Sequence, residues 1–222
     1  MSESKPGSVI PAIIPESLED LSKHILALKE TTDAFQVDIV DGIFVPHVSW
    51  PYKDDSPIKD IRENIEGLNI ELDLMIREPE RTLPEWLKTG VDRFVIHIEG
   101  TNDVSHCISL VTQAGKKVGI ALNNDEPVAL IESYIPNIDF VQCMGIAEIG
   151  KQGQEFDERV LAHIEALAEK YPELEVAVDG GVSEDTIKKL YKAGASRLVS
   201  GSAIIQADSP VAAYNALLKQ VS

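Results

Sequence analysis

Asp38, Asp73 and Asp179 each sit in a short segment whose other residues alternate between apolar and mixed positions. In Ala34–Val40, Val37 and Ile39 alternate with Gln36, Asp38 and Val40. In Ile70–Ile76, Leu72, Leu74 and Ile76 alternate with Glu71, Asp73 and Met75, and in Glu175–Gly180, Val176 and Val178 alternate with Glu175, Ala177 and Asp179. Arg93–Glu99 and Lys117–Asn123 repeat the pattern and place His97 and Asn123 in the less apolar set. A period of two is the signature of a strand with one face packed on an apolar layer. The other set must face the opposite side, so Gln36, Asp38, Asp73, His97, Asn123 and Asp179 share one interior. Polar groups there are costly unless they are paired, hydrated or bound to a ligand. A cluster of three carboxylates, an imidazole and two amides reads as a site. The chemistry open to it is proton transfer or ligand coordination, and alternation alone leaves that choice open.

A second feature concerns anions. Asp179-Gly180-Gly181 and Gly201-Ser202 close two successive strand segments, Glu175–Gly180 and Arg197–Ser202. Glycine lets the backbone approach a ligand closely, and a helix starting after Ser202 offers unpaired N–H groups to a phosphate. The loop Gly145–Gln154, with Gly150 and Gly153, is the candidate third wall.

Eight strand segments alternate with helical patterns along the whole chain. They are Val9–Ile14, Ala34–Val40, Ile70–Ile76, Arg93–Glu99, Lys117–Asn123, Phe140–Ile146, Glu175–Gly180 and Arg197–Ser202. Between them lie amphipathic stretches such as Leu18–Lys29, Asp103–Gln113, Asp157–Lys170 and Glu184–Ala193. Such alternation indicates a parallel sheet, and eight units in 222 residues favour a single (β/α)₈ barrel spanning 9–222 behind a short tail, 1–8. The longest irregular stretches follow the second and sixth strands, at the end where barrel enzymes place their sites.

The formal net charge of −17 argues against nucleic acid as a partner but not against a small phosphorylated ligand held by backbone N–H groups. No run of about 18 uncharged apolar residues predicts a membrane span. The polar first eight residues lack a secretory apolar stretch, and Cys107 and Cys143 lack metal-type spacing, so a cytoplasmic location is expected. The oligomeric state stays open, a homo-oligomer included.

Taken in order, several blocks resemble the ribulose-phosphate 3-epimerase family. Asp38-Ile39-Val40-Asp41-Gly42-Ile43-Phe44-Val45-Pro46 resembles its D-x-M-D-G-x-F-V-P segment. Leu74-Met75 lies at its H-L-M, and Val91-Asp92 through His97-x-Glu99 resembles its A-D-x-x-T-x-H-x-E. Gly153-Gln154-Glu155-Phe156 resembles the end of its G-F-G-G-Q-x-F loop. Val178-Asp179-Gly180-Gly181-Val182, Ala193-Gly194-Ala195 and Gly201-Ser202-Ala203-Ile204 match its last blocks. The resemblance implies a metabolic isomerase of carbohydrate phosphates, of the ribulose 5-phosphate/xylulose 5-phosphate type. Asp38 and Asp179 would be its acid–base pair, inverting C3 through an enediolate, and Gly153, Gly180, Gly181, Gly201 and Ser202 would hold the phosphate. Met75, Met144 and His97 would line the substrate cavity, with a structural His97 bonded to Glu99 or Asp73 as the alternative. It further implies a divalent metal held by two His and two Asp. The chain departs from that set, with Gln36 and Asp73 at the histidine positions, leaving Gln36, Asp38, Asp73 and Asp179 as candidate ligands. An all-oxygen site suits Mg²⁺ or Mn²⁺ better than Zn²⁺. A metal-free route, with one carboxylate kept protonated by its neighbours, is the alternative. Pro11-Ala12-Ile13-Ile14-Pro15 also replaces P-S-x-L-S, losing both hydroxyls.

Other readings are a different phosphosugar-processing barrel enzyme or a non-catalytic phosphosugar-binding relative. A Schiff-base aldolase needs an inward lysine, and none occurs in the inward sets above. The decarboxylase branch needs Asp-x-Lys on the third strand, where Glu71-Leu72-Asp73 has no lysine.

Overall fold

The structure, a computed structural model, describes residues 6–54 and 56–221; the start of the expected tail, residues 1–5, lies outside the described residues. Eight parallel strands close into a barrel in chain order. They are β1 Ser8–Ile13, β2 Ala34–Val40, β3 Asn69–Met75, β4 Arg93–His97, β5 Lys117–Leu122, β6 Phe140–Met144, β7 Glu175–Asp179 and β8 Arg197–Ser200. Ser8, expected at the end of the tail, already belongs to β1 and pairs with Arg197 where β1 closes the barrel against β8. The helices are α1 Leu18–Leu28, α2 Arg62–Ile65, α3 Leu83–Trp86, α4 Val104–Gln113, α5 Arg159–Lys170, α6 Ile187–Ala193, α7 Ser202–Ile205 and α8 Pro210–Leu218.

Local chemistry sets the ends of these elements. The Ser17 side chain accepts the Asp20 N–H at 3.1 Å, and acidic Glu19 and Asp20 occupy the first turn of α1. Asp103 caps α4 through the His106 N–H at 2.9 Å. The helix expected from Glu184 starts at Ile187 instead. Thr186 Oγ1 accepts the Ser183 N–H and donates to the Gly181 carbonyl at 2.6 Å, tying these residues into a turn at the end of β7. Leu21, Ile25 and Leu28 of α1 and Val160, Ile164 and Leu167 of α5, at helical spacing, join the core between helices and strands.

The alternation read from the sequence separates two apolar regions. Val37, Ile39, Leu72, Leu74, Phe94, Ile96, Val118, Ile120, Val176 and Val178 belong to the outer core under the helices. Val95, Ala121, Phe140, Met144 and Ala177 form a separate cluster, as do Ile10, Ala12 and Val199. Gly119 makes room for the Phe140 ring, since a Cβ there would lie 2.3 Å from it. Near the strand N-termini an ion-pair layer fills the barrel. Buried Glu71 accepts from Arg93 Nε at 2.7 Å and Arg197 Nε at 3.2 Å, and Arg93 also pairs with Glu175. The Arg93 guanidinium lies over Phe140, 4.1 Å from the ring centroid.

Candidate active site

At the opposite end, where the strands finish, the barrel opens into a cavity of about 780 Å³ counted to its open mouth. Its floor includes Asp38 at the end half of β2, Asp179 at the end of β7, and Met75 and Met144 closing β3 and β6. Ala12, at the first serine position that the resemblance implies, lines the cavity beside Ile14, leaving that wall apolar.

Register explains the convergence on the floor. Asp38 pairs with Asp73 across β2 and β3, and Met144 with Asp179 across β6 and β7. Oxygens of Asp38, Asp73 and Asp179 all lie within 4.8 Å of one another. Two amides and an imidazole reach this cluster. Gln36 Nε2 bridges Asp38 Oδ1 at 2.8 Å and Asp179 Oδ2 at 2.7 Å. Gln142 Nε2 donates to Asp73 Oδ2 at 2.9 Å and to Asp179 Oδ2 at 3.4 Å. His97 Nε2 contacts Asp73 Oδ1 at 2.8 Å.

Burial in this low-polarity interior, followed by repulsion from Asp179 and Asp73, holds the Asp38 carboxyl well above the usual carboxylate range. Burial, then the Asp73 charge, pushes Asp179 up to about 7 against the pull of its Gln36 hydrogen bond. Burial alone would disfavour a charged His97, but Asp73 outweighs it and the imidazole is raised. Burial and mutual repulsion thus favour the protonated form of these carboxyls.

One expectation changes, for His97, and a second residue, Gln36, is placed within the cluster. His97 is not among the residues lining the cavity: it is 1% exposed, with Nε2 against Asp73 and its ring 5.5 Å from that of Phe44, so its contact in the cluster is to a carboxylate. Gln36 presents its amide N–H to the two carboxylates, and its buried Oε1 has no hydrogen-bond partner. The three Asp residues remain as oxygen donors. Gln142 escaped the sequence reading, although Val141 and Cys143 alternate with it and Met144 follows it on the inward face.

The far wall of the cavity contains Gly153, Gly180, Gly181, Gly201 and Ser202. Gly180 and Gly181 adopt φ of +89° and +66°, and a Cβ on Gly181 would lie 2.9 Å from the Gly145 carbonyl oxygen. Only glycine meets both conditions, so these turns expose backbone toward the cavity. Gly201 precedes α7, a single helical turn, and a Cβ there would meet the Gln152 side chain at 2.5 Å.

A family model described as "Ribulose-phosphate 3 epimerase family" matches residues 8–205. The chain belongs to the ribulose-phosphate 3-epimerase family. It is 33% identical to the ribulose-phosphate 3-epimerase of Schizosaccharomyces pombe, over 97% of this chain and 94% of that one. It is 32% identical to the Bacillus subtilis ribulose-phosphate 3-epimerase, over 88% of this chain and 91% of that one. Among solved structures, 3-hexulose-6-phosphate synthase from Salmonella typhimurium superposes with a TM-score of 0.72 at 16% identity, covering 96% of this chain and 97% of that one, which establishes a shared fold. Gln36 and Asp73 stand where the family pattern implies imidazoles, and both are absorbed into a carboxylate–amide network.

Proposed function

We propose that this chain epimerises a ketopentose phosphate of the ribulose 5-phosphate/xylulose 5-phosphate type at C3. The observation that carries the reading is that Asp38 and Asp179 share the floor of one cavity whose far wall is the pair of glycine turns. A phosphate held by Gly153, Gly180, Gly181, Gly201 and Ser202 leaves the sugar chain extending toward the two carboxylates. One carboxylate removes the C3 proton, acidified by the adjacent C2 carbonyl, and the other returns a proton on the opposite face. The pair must hold one proton between them. Burial and mutual repulsion raise both carboxyls, Asp179 to about 7, which supports a proton shared by the pair and not owned by either residue. Met75 and Met144 give the reacting carbon apolar walls that keep water from competing for protons.

Three buried carboxylates with oxygens within 4.8 Å of one another fit a hard dication, and Asp38, Asp73 and Asp179 would hold it. When bound, such an ion supplies positive charge to offset the negative charge of the enediolate. With oxygen donors alone, Mg²⁺ or Mn²⁺ is favoured over Zn²⁺. A Schiff-base route has no suitable amine: Lys151, the one lysine among the described residues lining the cavity, is an exposed rim residue.

The test is incubation with ribulose 5-phosphate in D₂O. Xylulose 5-phosphate should form with deuterium at C3, and Asp38→Asn and Asp179→Asn should each abolish both signals while circular dichroism stays folded. Near-normal turnover in either variant removes that residue from the mechanism, and no C3 exchange in the unaltered protein removes the reaction.

A further inference from the structure

The geometry points to Lys151 as a side-chain grip on the substrate phosphate, acting beside the backbone turns and resting on the phosphosugar reading above. Among the described residues lining the cavity, Lys151 is the one cation. The floor carries Asp38 and Asp179, and the whole chain carries a formal −17, so an approaching phosphate dianion meets a repulsive field. Backbone N–H groups offer only partial charges against it. A full positive charge at the rim supplies what they lack.

Two local features place Lys151 there. Gly150 and Gly153 on either side of it have positive φ, +80° and +77°, the turn backbone glycine permits, and residues 150–154 line the cavity. The intervening Gln152 then anchors the segment. Its Nε2 donates to the Ala12 carbonyl at the end of β1 at 3.1 Å, and its side chain covers Gly201. Lys151 thus lines the same cavity as Gly201 and Ser202. Among the described residues, no ion pair engages Lys151. Glu16, which lines an adjoining depression with it, already faces Lys53 and His47. Matched by its ends to G-F-G-G-Q-x-F, the segment Gly150-Lys151-Gln152-Gly153-Gln154-Glu155-Phe156 has Lys and Gln where the pattern has Phe and Gly. Lys151 and its anchor Gln152 thus both differ from that pattern.

The experiment compares Lys151→Ala, Lys151→Arg and Gly201→Val with the unaltered protein. It measures inorganic phosphate binding by calorimetry, and KM and kcat for ribulose 5-phosphate, at low and high salt. Lys151→Ala should raise both the phosphate Kd and KM roughly three- to tenfold at low salt, the scale of one exposed charge-assisted contact. The kcat should hold within about twofold, Lys151→Arg should retain binding, and the difference should shrink at high salt as screening grows. Unchanged Kd and KM in Lys151→Ala, with binding lost in Gly201→Val, would overturn the Lys151 assignment and leave the glycine-turn site standing. A phosphate Kd beyond detection in the unaltered protein would remove the phosphate site itself, and Lys151 with it.

Discussion

Asp179→Asn should stabilise the metal-free protein at pH 8 while abolishing its activity. The Asp179 carboxyl is lifted from the ordinary 3.8 to about 7 by burial and by the Asp73 charge. A carboxyl whose folded-state pKa exceeds its unfolded one binds a proton that the unfolded chain has released. Stability therefore falls as pH rises from the unfolded value to the folded one, and is level above it. At ~1.4 kcal/mol per pKa unit, the full penalty reaches about 4 kcal/mol by pH 8. Asparagine removes the charge but keeps an oxygen for the amides of Gln36 and Gln142, which now bond a neutral acceptor and lose strength. Discounting for that loss and for proton sharing with Asp38 leaves a gain of about 2 kcal/mol, or about 4–8 °C in Tm for a domain of this size.

The assay is thermal unfolding by circular dichroism after exhaustive chelation, at pH 4.5 and pH 8. The gain from Asp179→Asn should be largest at pH 8 and mostly gone at pH 4.5. Excess Mg²⁺ or Mn²⁺ should raise the Tm of the unaltered protein at pH 8 and do little for the variant, because a bound dication relieves the same repulsion. A lower Tm for Asp179→Asn at pH 8 in chelator, or an equal shift at both pH values, would refute the account of this cluster as electrostatically strained.

Two further outcomes test the barrel interior. Glu71→Leu strips the shared acceptor from Arg93 and Arg197 and should cost about 3–5 kcal/mol, read as a lower urea midpoint; an unchanged midpoint would mean those guanidinium groups reach water. Elemental analysis of protein purified without chelator should find Mg or Mn at most, with activity lost on chelation restored by either ion. Tightly bound stoichiometric zinc would defeat the oxygen-donor argument.

The barrel was legible because its strands combine an apolar outer face with a contrasting inner one, so a period of two shows in the letters. That contrast is strong in β2, β3 and β7, and it exposed Asp38, Asp73 and Asp179. It fails in β6, Phe140–Met144, where Phe140 and Met144 flank Gln142 on the inward face and Val141 and Cys143 point outward. With apolar residues on both faces, the amide gave no periodic signal. Depth in the barrel was also hidden. Alternation tells which way His97 points but not how far along the axis it lies, because strand stagger sets that. His97 ends up buried against Asp73, outside the cavity lining. The role of Glu71 was equally closed to inspection, since its partners lie 22 and 126 residues away in sequence.

The two polar layers of the interior follow opposite charge logic, and that difference separates scaffold from site. In the layer near the strand N-termini, Arg93 and Arg197 answer Glu71 and Glu175, so charges balance within the protein. In the layer near the strand C-termini, Asp38, Asp73 and Asp179 are answered by one imidazole and two neutral amides. Even a protonated His97 leaves an excess of negative charge there if all three carboxylates ionise. A buried excess must be met by protons or by a cation from outside. Both routes draw the missing positive charge to the residues that touch the cavity, Asp38 and Asp179. A balanced layer would have made a stable barrel with nothing to exchange; the unbalanced one keeps its acid and base ready at the surface where a ketose phosphate would lie.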